Sequence, residues 1–401
     1  MIKKKWAIVG ALIVSSAFTS PVAAAKDDAS PEFTARSYKG TEFNMELMNA
    51  SALYRFDSGL EFKYPDAVRG IFVTGNSAGG ERFEKLVDFV DRTELNAMVI
   101  DIKEDMGHLT YMPKEGSDLA SMEIGKPFIK DPRVVLERLE EKQIYPIARV
   151  VVFKDSILAE KRPELSFVDN GKVWKNGRGE SFVNPFLKEV WDYNVQIAIE
   201  AAKLGFKEIQ FDYVRFPEGF ENRADILEYS MGEYSDSSED PIQSRVSAVT
   251  DFVAYAREQL EPYDVEVSVD IFGYAATLVE APGIGQNFGK ISENVDVISS
   301  MIYPSHWTAY FGIPKPDLEP YKLVSEYAKM ENEKLAELET APVSRPWLQD
   351  FTASYLGAGN YKNYGKEEVQ AQIKALNDNG IDEFLLWNAG NTYSQGVDYT
   401  P

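Results

Sequence analysis

The segment Ile209-Gln210-Phe211-Asp212-Tyr213-Val214-Arg215-Phe216-Pro217 starts as a β-strand and ends as a loop. Apolar and polar residues alternate in it, which places Ile209, Phe211 and Tyr213 on one face of the strand and Gln210 and Asp212 on the other. A strand face that carries an amide and a carboxylate does more than pack. We therefore interpret Asp212 as a reacting or substrate-holding carboxylate at the mouth of a barrel.

Strands and helical segments alternate on both sides of this strand. Eight short apolar runs read as strands, at residues 68–74, 97–102, 144–152, 208–214, 265–271, 295–303, 345–351 and 381–387. Seven stretches between them have helical spacing, at residues 81–92, 132–142, 185–204, 242–260, 288–294, 318–338 and 366–379. Eight such units predict an α/β fold, a (β/α)8 TIM barrel over residues 67–401, with a doubly wound open sheet as the alternative.

Three long insertions follow predicted strands two, three and four, on the side where such a barrel builds its active site. They span residues 103–130, 155–184 and 217–240. The second contains Asn170-Gly171 and Asn176-Gly177, both typical of hairpin turns. The third is rich in Asp and Glu, a composition more typical of a solvated surface or a calcium site than of a catalytic element.

The N-terminus predicts export. Residues 1–25 read as a signal peptide, with three lysines, an apolar stretch from Trp6 to Phe18 and the small residues Ala23-Ala24-Ala25. The apolar stretch is short for a membrane span, although an uncleaved anchor is the alternative. Residues 26–66 read as a linker or lead-in segment. We expect an extracytoplasmic protein, secreted or in the cell envelope, with no integral span after signal removal.

Charge and cysteine content exclude several partners and chemistries. The chain has 401 residues, a net charge of −22 and no cysteine. Removal of the three signal lysines leaves 39 basic against 64 acidic residues, a net charge of −25. Nucleic acid and anionic lipid would be repelled by this charge. The two histidines lack HExxH spacing, so a His-rich zinc site is not expected, and we expect no cofactor.

Side chains at the C-terminal ends of barrel strands converge on one opening, so these ends supply the candidate site. Strand five alternates strictly, with Val265, Val267 and Val269 facing the helices and Glu266, Ser268 and Asp270 facing the lumen. Asp212 and Asp270, on adjacent strands, are the candidate catalytic pair. The candidate substrate-binding residues lie at the other strand ends and just beyond them: Asp101, Arg149, Arg215, Tyr303, His306, Trp307, Gln349, Asp350, Trp387 and Asn388.

Paired carboxylates beside aromatic rings suit hydrolysis of a glycosidic bond. One carboxylic acid protonates the leaving oxygen, while the other attacks the sugar carbon or activates water. A nearby arginine would keep one carboxylate ionised, and burial or a like charge would keep the other protonated. The sequence does not decide whether the configuration of the sugar is retained or inverted.

The chain also resembles a family of bacterial proteins described as a putative glycosyl hydrolase domain. The strings that carry the likeness are GIFVT at 70–74, VIDIK at 99–103, FDYVRFP at 211–217, DIFG at 270–273, MIYPSHW at 301–307 and PWLQDF at 346–351. The resemblance implies a barrel related to alpha-amylase-like glycosidases, whose nucleophile ends strand four and whose acid ends strand five. Those positions match Asp212 and Asp270, although the acid in that group is typically a glutamate.

The sequence thus favours a secreted glycosidase that cleaves a polysaccharide of the cell wall or an extracellular matrix. A barrel that binds glycans without cleaving them, or an envelope scaffold, is the alternative from another class. A third possibility is a hydrolase that uses Asp101, Asp212 and Asp270 around magnesium or calcium.

Overall fold

The computed structural model describes residues 33–35, 54–236, 238 and 240–401. The predicted signal peptide and most of the predicted lead-in segment lie outside these residues. Within the described lead-in, Tyr54–Phe56 pairs antiparallel with Phe33–Ala35. No helix among the described residues is both long and apolar enough to cross a membrane.

Eight parallel strands close a barrel, which confirms the predicted fold. The strands, in chain order, are β1 (Arg69–Val73), β2 (Ala97–Lys103), β3 (Tyr145–Val151), β4 (Glu208–Asp212), β5 (Glu266–Phe272), β6 (Val297–Met301), β7 (Val343–Ser344 and Trp347–Gln349) and β8 (Phe384–Trp387). Each strand pairs with its neighbours in sequence, and β8 pairs with β1 to complete the ring. The open-sheet alternative is therefore wrong.

One main helix follows each of strands β1 to β7, and these helices cover the outside of the barrel. They are α1 (Arg82–Asp91), α2 (Pro132–Glu141), α3 (Lys188–Leu204), α4 (Pro241–Leu260), α5 (Phe288–Ser292), α6 (Pro320–Leu335) and α7 (Lys366–Asn377). Capping residues determine where two of these helices begin and end. Asp131 accepts a hydrogen bond from the Arg133 N–H at the start of α2, which places Pro132 in the first turn, and Gly205 ends α3 with φ +119°.

The predicted insertions lie after β2, β3 and β4. They contain short elements: the helices Asp118–Ser121 and Ser156–Lys161, and the hairpin of Val168–Asp169 with Lys172–Val173. Asn170 and Gly171 connect the hairpin with φ of +51° and +74°, the backbone that a two-residue turn of this kind requires.

The core has two parts. The larger lies between the strands and the helices, where Val267 and Val269 are buried as predicted. The smaller fills the barrel lumen and includes Phe72, Val99, Tyr145 and Trp347.

An ion network closes the lumen at the N-terminal ends of the strands. Arg345 is fully buried there and donates hydrogen bonds to both carboxylate oxygens of Glu208, at 2.7 and 2.8 Å, and to Glu383 at 2.7 Å. Ser268 donates to Glu208 at 2.6 Å. Buried charges persist only when they are paired, so this network holds the four strand ends together and leaves the opposite face for a site.

Candidate active site

A cavity of about 610 Å³ opens at the C-terminal ends of the strands. Aromatic and charged side chains line it together. The lining comprises Asp105, Arg149, Arg178, Asp212, Tyr213, Arg215, Glu218, Asp270, Phe272, Gly273, Tyr274, Met301, Tyr303, His306, Trp307, Thr308, Tyr310, Trp347 and Trp387. A concave site with convergent polar groups on an aromatic wall is typical of a small-ligand or sugar site.

Arg149 on β3 is the centre of the charge arrangement. Its Nε and Nη2 donate to Oδ2 of Asp212 at 3.0 and 2.6 Å, and its Nη1 donates to Asp101 at 2.6 Å. Nη2 also reaches Asp105 at 2.9 Å. The guanidinium group lies 5.4 Å from the ring centre of Trp387, so it is held by three carboxylates and an aromatic face.

Lys154 extends this arrangement to the insertions. It is buried and binds Asp105 at 2.9 Å and Glu180 at 2.8 Å, and its amine lies 3.3 Å from the Tyr213 hydroxyl. Because Asp105 follows β2 and Glu180 lies in the insertion after β3, Lys154 joins both loops to the site.

Asp212 and Asp270 lie side by side. The register of β4 with β5 pairs Phe211 with Val269, so the next residue on each strand is one of the two carboxylates. Both residues are buried, with 5% and 2% of their surface exposed. Neighbouring strands lie about 4.7–4.9 Å apart, so the two carboxyl groups share one end of the lumen.

Their hydrogen bonds differ. Asp212 accepts two bonds from Arg149 on Oδ2 and one from the Tyr213 N–H on Oδ1 at 2.6 Å. Asp270 accepts one bond, from the indole N–H of Trp347 to Oδ1 at 2.7 Å. Each of these groups can only donate, so both oxygens of Asp212 act as acceptors, whereas Oδ2 of Asp270 accepts no hydrogen bond from the described residues.

Burial and charge separate the pKa values of the carboxyl groups. Burial, and then the negative charge of Asp212, raise the pKa of Asp270 well above its usual range. Burial also raises the pKa of Asp101 to about 7, against the opposing effect of Arg149. For Asp105 burial is outweighed by Arg149 and Lys154, which lower its pKa to about 2. The surroundings of Asp270 therefore favour its protonated form, whereas Arg149 and Lys154 favour the ionised form of Asp105.

The backbone turns sharply where β4 ends. Tyr213 has φ +53°, a left-handed conformation that is uncommon for an aromatic residue. Arg215 follows, and its guanidinium group lies 4.8 Å from the Tyr213 ring centre and 4.5 Å from that of Phe272. The turn thereby brings a buried cation and a ring to the wall beside Asp212.

Most of the predicted site residues come together. Asp212, Asp270, Arg149, Arg215, Tyr303, His306, Trp307 and Trp387 line the cavity. Asp101 lies behind it, against Arg149. Three others lie outside the lining and brace loops: Gln349 donates to Asp317 at 3.0 Å, Asp350 accepts from Ser394 at 2.6 Å, and Asn388 donates to Thr392 at 2.7 Å.

Sequence reasoning missed several residues of the site, of which all but Lys154 line the cavity. Asp105 and Lys154 come directly after predicted strands, a position that could have identified them. Trp347 lies within a quoted motif, but nothing in the sequence shows that its indole meets Asp270. Arg178 and Glu218 lie in insertions, where no strand period fixes the direction of a side chain.

The three aspartates do not form a metal site in this structure. The guanidinium group of Arg149 binds both Asp101 and Asp212, in the place where a shared cation would lie. Among the described residues, no group of three or more His, Asp or Glu side chains could hold a metal ion.

Comparison with known proteins identifies the domain. A family model described as "Putative glycosyl hydrolase domain" matches residues 70–393. A search of curated proteins found no match.

Solved structures with similar folds include glycosidases. A hypothetical protein from Ruminiclostridium thermocellum is 34% identical, with a TM-score of 0.43, and the match covers 50% of this chain and 96% of that one. The glycoside hydrolase domain of PgaB (BpsB) from Bordetella bronchiseptica is 15% identical, with a TM-score of 0.56, over 80% of this chain and 94% of that one. An alpha-galactosidase from Thermus thermophilus is 11% identical, with a TM-score of 0.49, over 86% and 68%. At such identities PgaB supports the fold alone.

Proposed function

The chain belongs to the family described as "Putative glycosyl hydrolase domain", and on that premise we propose that it is an exported glycoside hydrolase acting on a polysaccharide. Its substrate is a glycan of the cell wall or an extracellular matrix. Asp270 is the general acid and Asp212 the nucleophile, while Arg149, Arg215, Tyr303, His306, Trp307 and Trp387 bind the sugar.

The observation that carries this proposal is the contrast between two neighbouring carboxyl groups. Three donors surround Asp212, whereas one indole N–H contacts Asp270. Hydrolysis of a glycosidic bond needs one carboxylate that stays ionised and one carboxylic acid that holds a proton near neutral pH.

The first step follows from these positions. The proton on Oδ2 of Asp270 passes to the oxygen of the leaving sugar as the glycosidic bond breaks. Asp212 attacks the anomeric carbon and forms a glycosyl ester. Arg149 stabilises Asp212 as an ion before the attack and positions its oxygens.

The second step uses the same pair. Once Asp212 is an ester it carries no charge, so its repulsion of the Asp270 carboxylate disappears and the pKa of Asp270 falls. Asp270 then accepts a proton from the water that attacks the anomeric carbon. The ester bond breaks, Asp212 leaves as a carboxylate, and the sugar is released with a new hydroxyl group.

The strand geometry supports retention of configuration. Neighbouring strand backbones lie about 4.7–4.9 Å apart, so we expect two carboxyl groups at matching positions to have the ~5–5.5 Å separation of retaining enzymes instead of the ~6.5–9.5 Å of inverting enzymes. Proton NMR of the first product should show the anomeric configuration of the substrate.

Release of reducing ends from wall polysaccharides and matrix glycans tests the activity. Asp270→Asn and Asp212→Asn should each lose turnover by at least about a hundredfold and still bind glycan, because the carboxyl chemistry goes while the cavity remains. Ser166→Ala, a buried residue away from the cavity lining, is the matched control. Turnover of either Asp variant at the wild-type rate would refute the roles, and wild-type binding without turnover would favour the non-catalytic alternative.

Export has its own test. Mass spectrometry of the protein recovered from the culture medium and envelope should find a mature N-terminus after the Ala23-Ala24-Ala25 site. An intact N-terminus in the envelope fraction would instead indicate an uncleaved anchor.

A further inference from the structure

The charged groups that line the cavity are paired with one exception, Arg178. Asp212 is held by Arg149, Asp105 by Arg149 and Lys154, and Glu218 by Arg215 at 3.2 Å. Burial raises the pKa of Asp270 and lowers the pKa of His306, which favours the uncharged form of each side chain. Among the described residues, Arg178 has no ion-pair partner within 4 Å.

Arg178 is held toward the cavity by a tight turn. The side-chain oxygen of Asn176 accepts the N–H groups of Arg178 and Glu180 at 2.9 and 3.0 Å, and its amide donates to Glu180 at 2.7 Å. Glycines flank Arg178 on both sides, and Gly179 has φ +79°, which lets the chain reverse there.

The turn is also fastened to the proposed catalytic groups. Glu180 binds Lys154 at 2.8 Å, and Lys154 reaches Asp105, which binds Arg149. An exposed arginine is usually free to swing through solvent, but the backbone that carries this one is fixed relative to Asp212. A cation whose backbone is held at the wall of a cavity attracts a negative group that enters there.

From this placement we propose that the cavity has a subsite for an acidic substituent of the glycan, with Arg178 as the residue that binds it. The proposal rests on the proposed function and adds the substrate class, a polysaccharide that carries carboxylate or sulfate groups. The planar guanidinium group suits either anion, since it can donate two parallel hydrogen bonds. Because the net charge of the chain is −22, its surface as a whole repels a polyanion, and an unpaired cation at the cavity offsets that repulsion locally.

The test compares matched acidic and neutral glycans. The probes are oligosaccharides of polygalacturonate and of hyaluronan beside their carboxyl-reduced forms, and of carboxyl-reduced chondroitin sulfate beside the same oligosaccharides after desulfation. Binding is measured by calorimetry on Asp270→Asn protein, so the result does not depend on whether the chain hydrolyses any of them.

The acidic member of at least one pair should bind about tenfold more tightly than its neutral counterpart, and this ratio should fall toward one in R178Q. The ratio should also shrink as salt rises, because a surface ion pair is screened. K172Q, an exposed lysine of the hairpin in the same insertion, should keep the wild-type ratio. The pair that shows the effect distinguishes a carboxylate from a sulfate.

Equal binding of the members in every pair, or an acidic preference that survives in R178Q, would overturn the proposal. If no glycan of any kind is cleaved but the preference is present and lost in R178Q, the subsite stands and the proposed hydrolase function fails. If neutral glycans are cleaved and bound as tightly as acidic ones, the hydrolase function stands and the subsite fails.

Discussion

Replacement of Lys103 by methionine tests the buried ion pair that fixes the loops beside the cavity. Lys103 and Asp155 are 2.7 Å apart, and neither side chain has any exposed surface. Lys103 also donates to the Val151 carbonyl at 2.8 Å and to Asn194 at 3.0 Å. The substitution leaves the Asp155 carboxylate buried without its cation, and breaking a pair in this way costs about 3–5 kcal/mol in the free energy of unfolding.

The pH dependence of this loss has a definite sign. Burial already raises the pKa of Asp155, and Lys103 opposes that effect. Without Lys103 the pKa in the folded protein rises further above its value in the unfolded chain. A raised pKa of an acid means that stability falls as pH rises between the two values, so the loss should be larger at about pH 8 than at about pH 5.

A second variant separates the charge from the shape. Asp155 also accepts the Leu158 N–H at 2.7 Å, and asparagine keeps an oxygen for that bond. An unpaired, buried neutral amide lowers the free energy of unfolding by about 1–3 kcal/mol, less than an unpaired carboxylate does. K103M/D155N should therefore be about 2 kcal/mol more stable than K103M. Chemical denaturation at the two pH values gives all these free energies.

Lys142→Met is the matched control, because its pair with Asp91 at 2.7 Å is partly exposed. That variant should lose no more than about 1 kcal/mol. A Lys103→Met protein as stable as the control, or one whose loss is the same at both pH values, would refute the reasoning.

Three further outcomes follow from the site and the barrel. In the wild type the indole N–H of Trp347 lowers the pKa of Asp270. Trp347→Phe removes this N–H, so the pKa of Asp270 should rise and the alkaline limb of the kcat/KM profile should move to higher pH. A rate change without this movement would indicate a packing effect alone. Arg345→Met should lower the free energy of unfolding by about 3–5 kcal/mol, measured by denaturation, because Glu208 and Glu383 are left unpaired, and a smaller loss than that of an exposed arginine variant would contradict this. A strong chelator should leave turnover unchanged, since Arg149 occupies the space between Asp101 and Asp212; loss of turnover that magnesium or calcium restores would support the metal-dependent alternative.

The sequence predicted the strands and helices because their patterns are local. Period-two alternation identified β4 and β5, and the register of parallel strands then brought Asp212 and Asp270 together. Strand ends were less well predicted. β7 was predicted over residues 345–351, but it forms two short pieces on either side of Arg345. The Arg345 side chain joins the ion network at the N-terminal face. That network depends on contacts between residues far apart in the sequence, and the local alternation of apolar and polar residues does not predict such contacts.

The site was predicted in part for the same reason. Residues on strands, such as Arg149, have directions fixed by the pleat, so they could be assigned to the cavity. Residues just past the strand ends depend on loop geometry. Asp350 contacts the loop after β8, and Asn388 contacts the loop after β7, so neither side chain lines the opening. Arg178 reaches the cavity because the side chain of Asn176 stabilises the turn that carries it.

Lys154 has a consequence for engineering this barrel. Loops of such barrels are often treated as interchangeable modules, each grafted without regard to the others. Here Asp105 in the first insertion and Glu180 in the second share one buried ammonium group, so a graft that replaces either loop alone removes one of its two carboxylate partners. The insertions after β2 and β3 must therefore be exchanged as a unit, and their sequences should vary together among relatives.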